Sequence, residues 1–121
     1  MHQIVAFALS LALAYPALAI DMRFMKEAPI TRLGADELKT FTAFVEKTLN
    51  EGGEDATVEW KATKATFTSK LTPQKRFKDG ALECRDMRIE SDSHDRSERG
   101  TYTFCKKAKG GWGIKSPTKR Q

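Results

Sequence analysis

Residues 1–19 contain no Lys, Arg, Asp or Glu, and from residue 20 onward the chain has a single histidine, His94, and two cysteines, Cys84 and Cys105. The shortage of imidazole and thiol argues against a metal centre. A four-coordinate site needs more ligands than two thiolates and one histidine set in a charged stretch. No phosphate loop, zinc signature or dinucleotide fingerprint is present, so no cofactor is expected. Cysteine is also missing around residue 19, which leaves no acceptor for a lipid there.

What residues 1–19 do contain is an almost wholly apolar run from Ile4 to Ala14, then Pro16 and Ala17-Leu18-Ala19. An apolar core followed by a helix breaker and small residues at alternate positions is the pattern of a secretory signal peptide, with cleavage after Ala19. The leading Met1-His2-Gln3 lacks the usual Lys or Arg. The alternative is an uncleaved anchor, but the apolar run falls short of the roughly 20 residues that span a bilayer. Export is therefore expected, to the periplasm or outer membrane or as a secreted protein, with no transmembrane span after processing.

The processed chain, residues 20–121, is long enough for one small domain, which buries only a moderate fraction of its surface and benefits from a covalent staple. In an oxidising compartment Cys84 and Cys105 are expected to form it. Charge is unevenly spread. From Ile20 to Trp60 there are 5 Lys/Arg against 9 Asp/Glu, a net of −4, whereas from Lys61 to Gln121 there are 16 against 7, a net of +9. The second half would attract an anionic surface such as lipopolysaccharide, teichoic acid, an acidic protein or nucleic acid. A basic face that is simply solvated fits the same composition.

Along the chain, residues 20–33 have no clean period and contain Pro29, and read as an extended arm. Residues 36–50 place Leu38, Phe41, Val45 and Leu49 at spacings of three, four and four, predicting an amphipathic helix that ends at Gly52-Gly53. Beyond Glu54, short segments rich in Thr, Val, Phe, Tyr and Trp read as strands. The first begins at Val58-Glu59-Trp60. After a turn or bulge near Thr63-Lys64, a second runs from Ala65 to Leu71 and is ended by Pro73. Asp79-Gly80 is a tight-turn dipeptide that launches a third strand from Ala81 to Ile89. In that strand Leu82 and Cys84 have opposite parity to Met87 and Ile89, so a second bulge or a strand facing two environments is required. Residues 90–100 read as a polar hairpin loop, Thr101 to Lys106 as a fourth strand, and Trp112-Gly113-Ile114 as a short last one after Gly110-Gly111.

A hairpin centred near His94 and Asp95 sets Cys84 directly opposite Cys105, close enough for a bridge. The expected fold is α+β, one amphipathic helix packed on a curved antiparallel sheet of four to five strands. It divides into the signal peptide (1–19), the arm (20–33), a single domain (34–115) and a flexible basic tail (116–121).

The order of Trp60, a strand reaching Pro73, Gly80-Ala81-Leu82-Glu83-Cys84-Arg85-Asp86, Gly100-Thr101-Tyr102-Thr103-Phe104-Cys105 and Gly110-Gly111-Trp112 resembles the 17-kDa-type outer-membrane surface antigen family. The resemblance covers residues 38–114 and implies a small envelope domain with a helix on an antiparallel sheet. It brings no catalytic residues. The chain lacks the lipid-accepting cysteine and the glycine-rich segment of that family's fuller members.

Two candidate catalytic groupings can be drawn. Ser91-Asp92-Ser93-His94-Asp95 offers hydroxyl, imidazole and carboxylate, but neighbours in a polar loop point in different directions and lack pocket walls. Asp86 and Glu90 share a parity and could form a carboxylate pair, although Arg85 and Arg88 alternate with them as ordinary surface pairs would. Neither amounts to a catalytic site, and the chain reads as a non-enzyme.

The basic loops offer more: Lys75, Arg76 and Lys78 around Phe77, Arg96 and Arg99 in the long hairpin, and Lys106, Lys107 and Lys109 before Trp112. Cations interleaved with aromatics are the general recipe for holding an anionic polymer, with Phe77 and Trp112 as stacking surfaces. An exported location favours an envelope polymer, lipid or protein over nucleic acid. The first functional reading is thus a non-catalytic, surface-antigen-like envelope module that binds or scaffolds through its basic β-rich half. The alternative is a secreted effector or inhibitor that hooks another protein with the 20–33 arm.

The disulfide generates the first prediction. Cys84→Ser should lower stability by about 2–5 kcal/mol. An unchanged denaturation midpoint under non-reducing conditions would count against a formed bridge.

Overall fold

A computed structural model describes residues 29–117. The expected signal peptide (residues 1–19), residues 20–28 of the expected arm and residues 118–121 of the expected tail lie outside the described residues.

A helix α1 (Ala35–Glu51) packs on one face of a five-stranded antiparallel sheet of β1 (Val58–Lys61), β2 (Phe67–Asp79), β3 (Leu82–Ser93), β4 (Ser97–Lys106) and β5 (Trp112–Pro117). The strands lie side by side in chain order and the sheet does not close, so the fold is α+β. The helix is where the apolar spacing predicts it. Phe41, Val45, Thr48 and Leu49 are buried, with Leu38 and Phe44 beside them. They meet Phe67, Leu71, Met87, Ile89, Tyr102, Phe104 and Trp112 in one core. Each such side chain contributes about 1.5–3 kcal/mol by leaving water. Phe41 anchors an aromatic group at the helix start, its ring centroid 5.1 Å from Trp60 and 5.4 Å from Phe67.

Four departures from the sequence reading have physical causes. First, Pro29–Arg32 is one turn of 3-10 helix, not extended chain, with Pro29 and Ile30 buried. Ile30 joins the core, which is enough apolar burial to fold the end of the arm onto the domain. Second, Pro73 lies inside β2 instead of ending it. Its carbonyl accepts from the Asp55 N–H at 2.7 Å. A strand residue turns its N–H and C=O toward the same neighbour, so the missing N–H faces the side where β1 has already ended. The ladder to β3 shifts register just beyond, between Pro73 and Arg76.

Third, β3 and β4 continue through the stretch read as a polar loop, pairing as far as Asp92 with Ser97. Polar side chains there satisfy one another. Ser97 donates to Asp92 at 2.6 Å, and the buried hydroxyls of Ser69 and Ser91 lie 2.9 Å apart. Fourth, β5 extends past Ile114 to Pro117, taking in the first residues assigned to the tail.

The parity conflict in β3 resolves as a strand between two environments. Arg85, Met87 and Ile89 face the helix, while Leu82, Cys84 and Asp86 face the other way. Cys84 pairs with Cys105 across the ladder, Cα to Cα 4.0 Å, and the two are disulfide-bonded.

Arg85 is 2 % exposed although it is charged. Its Nη1 donates to the Leu49 carbonyl at 2.9 Å and its Nη2 to Gly52 at 2.8 Å, while Nε reaches Gln74 at 2.7 Å. Leu49 and Gly52 belong to the end of α1, whose last carbonyls have no partner within the helix. The guanidinium therefore caps the helix from the sheet. Gly52 is required by close approach: a Cβ there would lie 2.6 Å from the Thr48 carbonyl and 2.9 Å from Pro73. Arg76 adds a bond to the Asn50 carbonyl at 2.7 Å, and the Trp112 indole N–H donates to the Asn50 side chain at 2.8 Å.

Removing the cap with Arg85→Met should destabilise the domain by about 3 kcal/mol or more, because buried and part-buried carbonyls lose their donor together. The urea midpoint reads this. Arg85→Lys should recover only part of it, since an ammonium cannot reproduce the planar fork, and full stability in Arg85→Met would refute the assignment.

A pH prediction comes from Tyr102, which is 6 % exposed and donates to Glu98 at 3.3 Å. Burial first, then the Glu98 charge, push its phenol from 10.0 up to about 12. The raised value means that the folded form resists ionisation. Its contribution to stability is complete below pH 10 and is lost as pH rises toward about 12. Tyr102→Phe should remove that part of the alkaline decline. Tyr102 is also the only tyrosine after residue 19, so in a chain of residues 20–121 the phenolate absorbance reports it directly.

Candidate functional site

The order of the strands puts the β2–β3 and β4–β5 turns at one end of the sheet and the β1–β2 and β3–β4 turns at the other. This topology sorts the predicted basic residues into two places. Lys75, Arg76 and Lys78 on β2 and Lys106, Lys107 and Lys109 around the β4–β5 turn come to the first end. Arg96 and Arg99 lie at or near the other, and the ten residues of β4 span about 30 Å at the usual strand rise. The eight candidates cannot form one site.

At the first end, residues 75–84 and 105–116 carry seven Lys/Arg against two Asp/Glu. Both carboxylates are engaged. Glu83 takes Arg76 at 3.1 Å and Lys106 at 3.5 Å. Partial burial pulls the Glu83 carboxyl upward, but the charges of Lys106 and Arg76 outweigh it and hold it below its ordinary value. Asp79, at the tip of β2, is ion-paired with Lys115. Lys115 is the extra residue where the β4–β5 register shifts, with Phe104 opposite Ile114 and Thr103 opposite Ser116. Lys106 also stands 5.5 Å from the Trp112 ring centroid. Lys75, Lys78, Lys107 and Lys109 are exposed and have no carboxylate partner among the described residues.

Two apolar side chains accompany them. Phe77 is 40 % exposed and Leu82 44 % exposed. Phe77 pairs with Cys84 and Leu82 with Asp79, so both lie on the sheet face away from the helix, diagonal to one another beside the disulfide. Phe77 is legible as a candidate from its basic neighbours. Leu82 is not, because its exposure depends on how the Gly80 turn ends the sheet. Trp112, the other stacking candidate, is 1 % exposed and belongs to the core, with Glu46 accepting from its backbone N–H at 3.2 Å.

The other end is mixed in charge. Arg32 is ion-paired with Asp95, whose carboxyl is held below its ordinary value by that contact against the upward pull of burial. Glu37 accepts from the backbone N–H groups of Lys64 at 3.0 Å and Thr63 at 2.7 Å, and these bonds, the Lys64 one foremost, lower its carboxyl pKa. Arg32, Gly34, Asp36, Glu37 and Lys64 line a cleft of about 320 Å³ at the start of α1.

The candidate catalytic groupings are not assembled. The His94 side chain is 75 % exposed with Asp95 4.0 Å away, while the Ser93 hydroxyl donates to Asp95 at 3.2 Å. Asp86 accepts from Thr103 at 2.6 Å and Glu90 from Arg88 at 2.9 Å. Four residues along one strand separate Asp86 from Glu90 by about 13 Å, beyond the roughly 5–9.5 Å of a working carboxylate pair. Among the described residues no cluster of His, Cys, Asp and Glu is placed to hold a metal ion. No described helix is long and apolar enough to cross a membrane. Comparison with protein-family models, curated proteins and solved structures finds no match to this chain.

Proposed function

We propose that this protein is an exported, non-catalytic module of the cell envelope, of surface-antigen type, that binds an anionic envelope component through the basic end of its sheet. The observation that carries the reading is the convergence of Lys75, Lys78, Lys107 and Lys109 from two separate turns onto one end of the sheet, with the local carboxylates already paired. Such an arrangement concentrates positive potential toward a partner. The disulfide between Cys84 and Cys105 joins the strands that carry the two turns, which suits an oxidising compartment and keeps the two lysine groups in fixed relation. The apolar residues 4–14 and Ala17-Leu18-Ala19 support export. The helix, with its apolar stripe turned to the sheet, serves as a cover for the core and leaves the turns to meet the partner.

The test compares retention of the processed chain on immobilised polyphosphate with that of two variants. Lys107→Gln/Lys109→Gln should elute at distinctly lower salt, and Arg96→Gln/Arg99→Gln should stay close to the parent. Equal losses in both would mean that net charge alone is read and that no site exists. Intact mass from fractionated cells checks the export half. A chain beginning at Ile20, two hydrogens lighter than its reduced form, is expected in the periplasmic or outer-membrane fraction.

A further inference from the structure

We infer that the component bound at this end is an anionic lipid surface, with Phe77 and Leu82 entering the boundary between headgroups and acyl chains while the surrounding lysines hold the headgroup phosphates. This rests on the binding reading above and specifies its partner.

Three observations select a bilayer over a soluble polyanion or a second copy of the chain. Phe77 and Leu82 expose 40 % and 44 % of their surface side by side on the tip of a hairpin, where hydrogen bonding to a polyanion would not use them. An exposed apolar pair at the same end of the sheet as the exposed Lys75, Lys78, Lys107 and Lys109 matches an amphiphile that carries both charge and hydrocarbon. The lysine stems can lie along the apolar boundary and keep their ammonium groups at headgroup level.

A Cβ built at Gly80 or at Gly110 would meet no atom within 4 Å, so neither turn is walled in at its glycine. Turn tips with open space beside them can meet a flat, deformable surface. A second copy would bring the same excess of seven cations over two carboxylates against this one, which opposes self-association through this end. The Cys84–Cys105 bridge stands two residues after Leu82 and two before Lys107, so the apolar pair and the β4–β5 lysines approach a surface as one rigid unit.

Sedimentation of the processed chain with vesicles tests this, using phosphatidylcholine alone and phosphatidylcholine mixed equally with phosphatidylglycerol, and with soluble polyphosphate and polyglutamate as separate arms. Binding to the mixed vesicles and not to phosphatidylcholine alone is expected. Phe77 and Leu82 lie outside the hydrophobic core, so Phe77→Ser/Leu82→Ser should keep the fold, which its urea midpoint checks. It should weaken vesicle binding about tenfold or more while leaving polyphosphate binding unchanged. Each of Lys107→Gln and Lys109→Gln should cost about fivefold on the mixed vesicles. If Phe77→Ser/Leu82→Ser binds vesicles as the parent does, or the parent binds polyphosphate or polyglutamate but no vesicle, the lipid assignment is overturned and the anion-binding reading survives. Binding to none of them overturns both.

Discussion

A buried guanidinium beneath the end of a helix organises this domain. The carbonyls of Thr48 and Leu49 near the end of α1 are buried against the sheet, and an unpaired buried carbonyl costs about as much as a lost hydrogen bond. Arg85 answers the Leu49 and Gly52 carbonyls from β3 and the Gln74 carbonyl from the irregular stretch of β2. Burial lowers the Arg85 pKa, the Arg76 charge adds to that, and Glu54 opposes it. The carbonyl oxygens that surround it favour the charged form, which lets an arginine occupy a place where most charged residues would not be tolerated. Gly52 without a side chain and Pro73 packed against it are consequences of how closely the helix end is drawn down.

The same end of the domain carries the candidate site, and the two are linked through β3. Cys84 and Arg85 are consecutive and point to opposite faces. One ties β3 covalently to β4, the other ties it to the helix. Arg76 and Trp112 reach the helix end from the flanking strands, both meeting Asn50. The turns beyond these ties are thus short extensions of strands held both covalently and by hydrogen bonds to the helix. They carry lysines that no described carboxylate neutralises and two apolar side chains that stand outside the core and are 40 % and 44 % exposed. Arg76 and Lys106 look equivalent to these lysines in sequence, yet they are committed to Glu83 inside the structure.

Local chemistry in the sequence determined much of this protein. The spacing of Leu38, Phe41, Val45 and Leu49 marks the helix, since a stripe repeating every three or four residues has one compact solution against a sheet. Asp79-Gly80 marks the β2–β3 turn because the backbone at Gly80 has φ 63°, open to glycine. A hairpin centred between His94 and Asp95 makes Cys84 and Cys105 register partners, and that pairing is the one found.

Tertiary structure alone decided the rest. Pro73 stays inside β2 because β1 stops before it, a fact that belongs to a neighbouring strand. The polar residues beyond Glu90 remain in strands because their partners lie across the ladder, and polarity by itself does not distinguish a loop from a satisfied pair. Arg85 and Arg88 are alike in sequence, but only Arg85 faces the helix end, so only it is buried. The basic residues form three runs along the chain and two locations in space, because an antiparallel meander returns every second turn to the same end. Which cations stand together, and which apolar side chains are left exposed beside them, depend on contacts between residues far apart in sequence, and no local pattern encodes those.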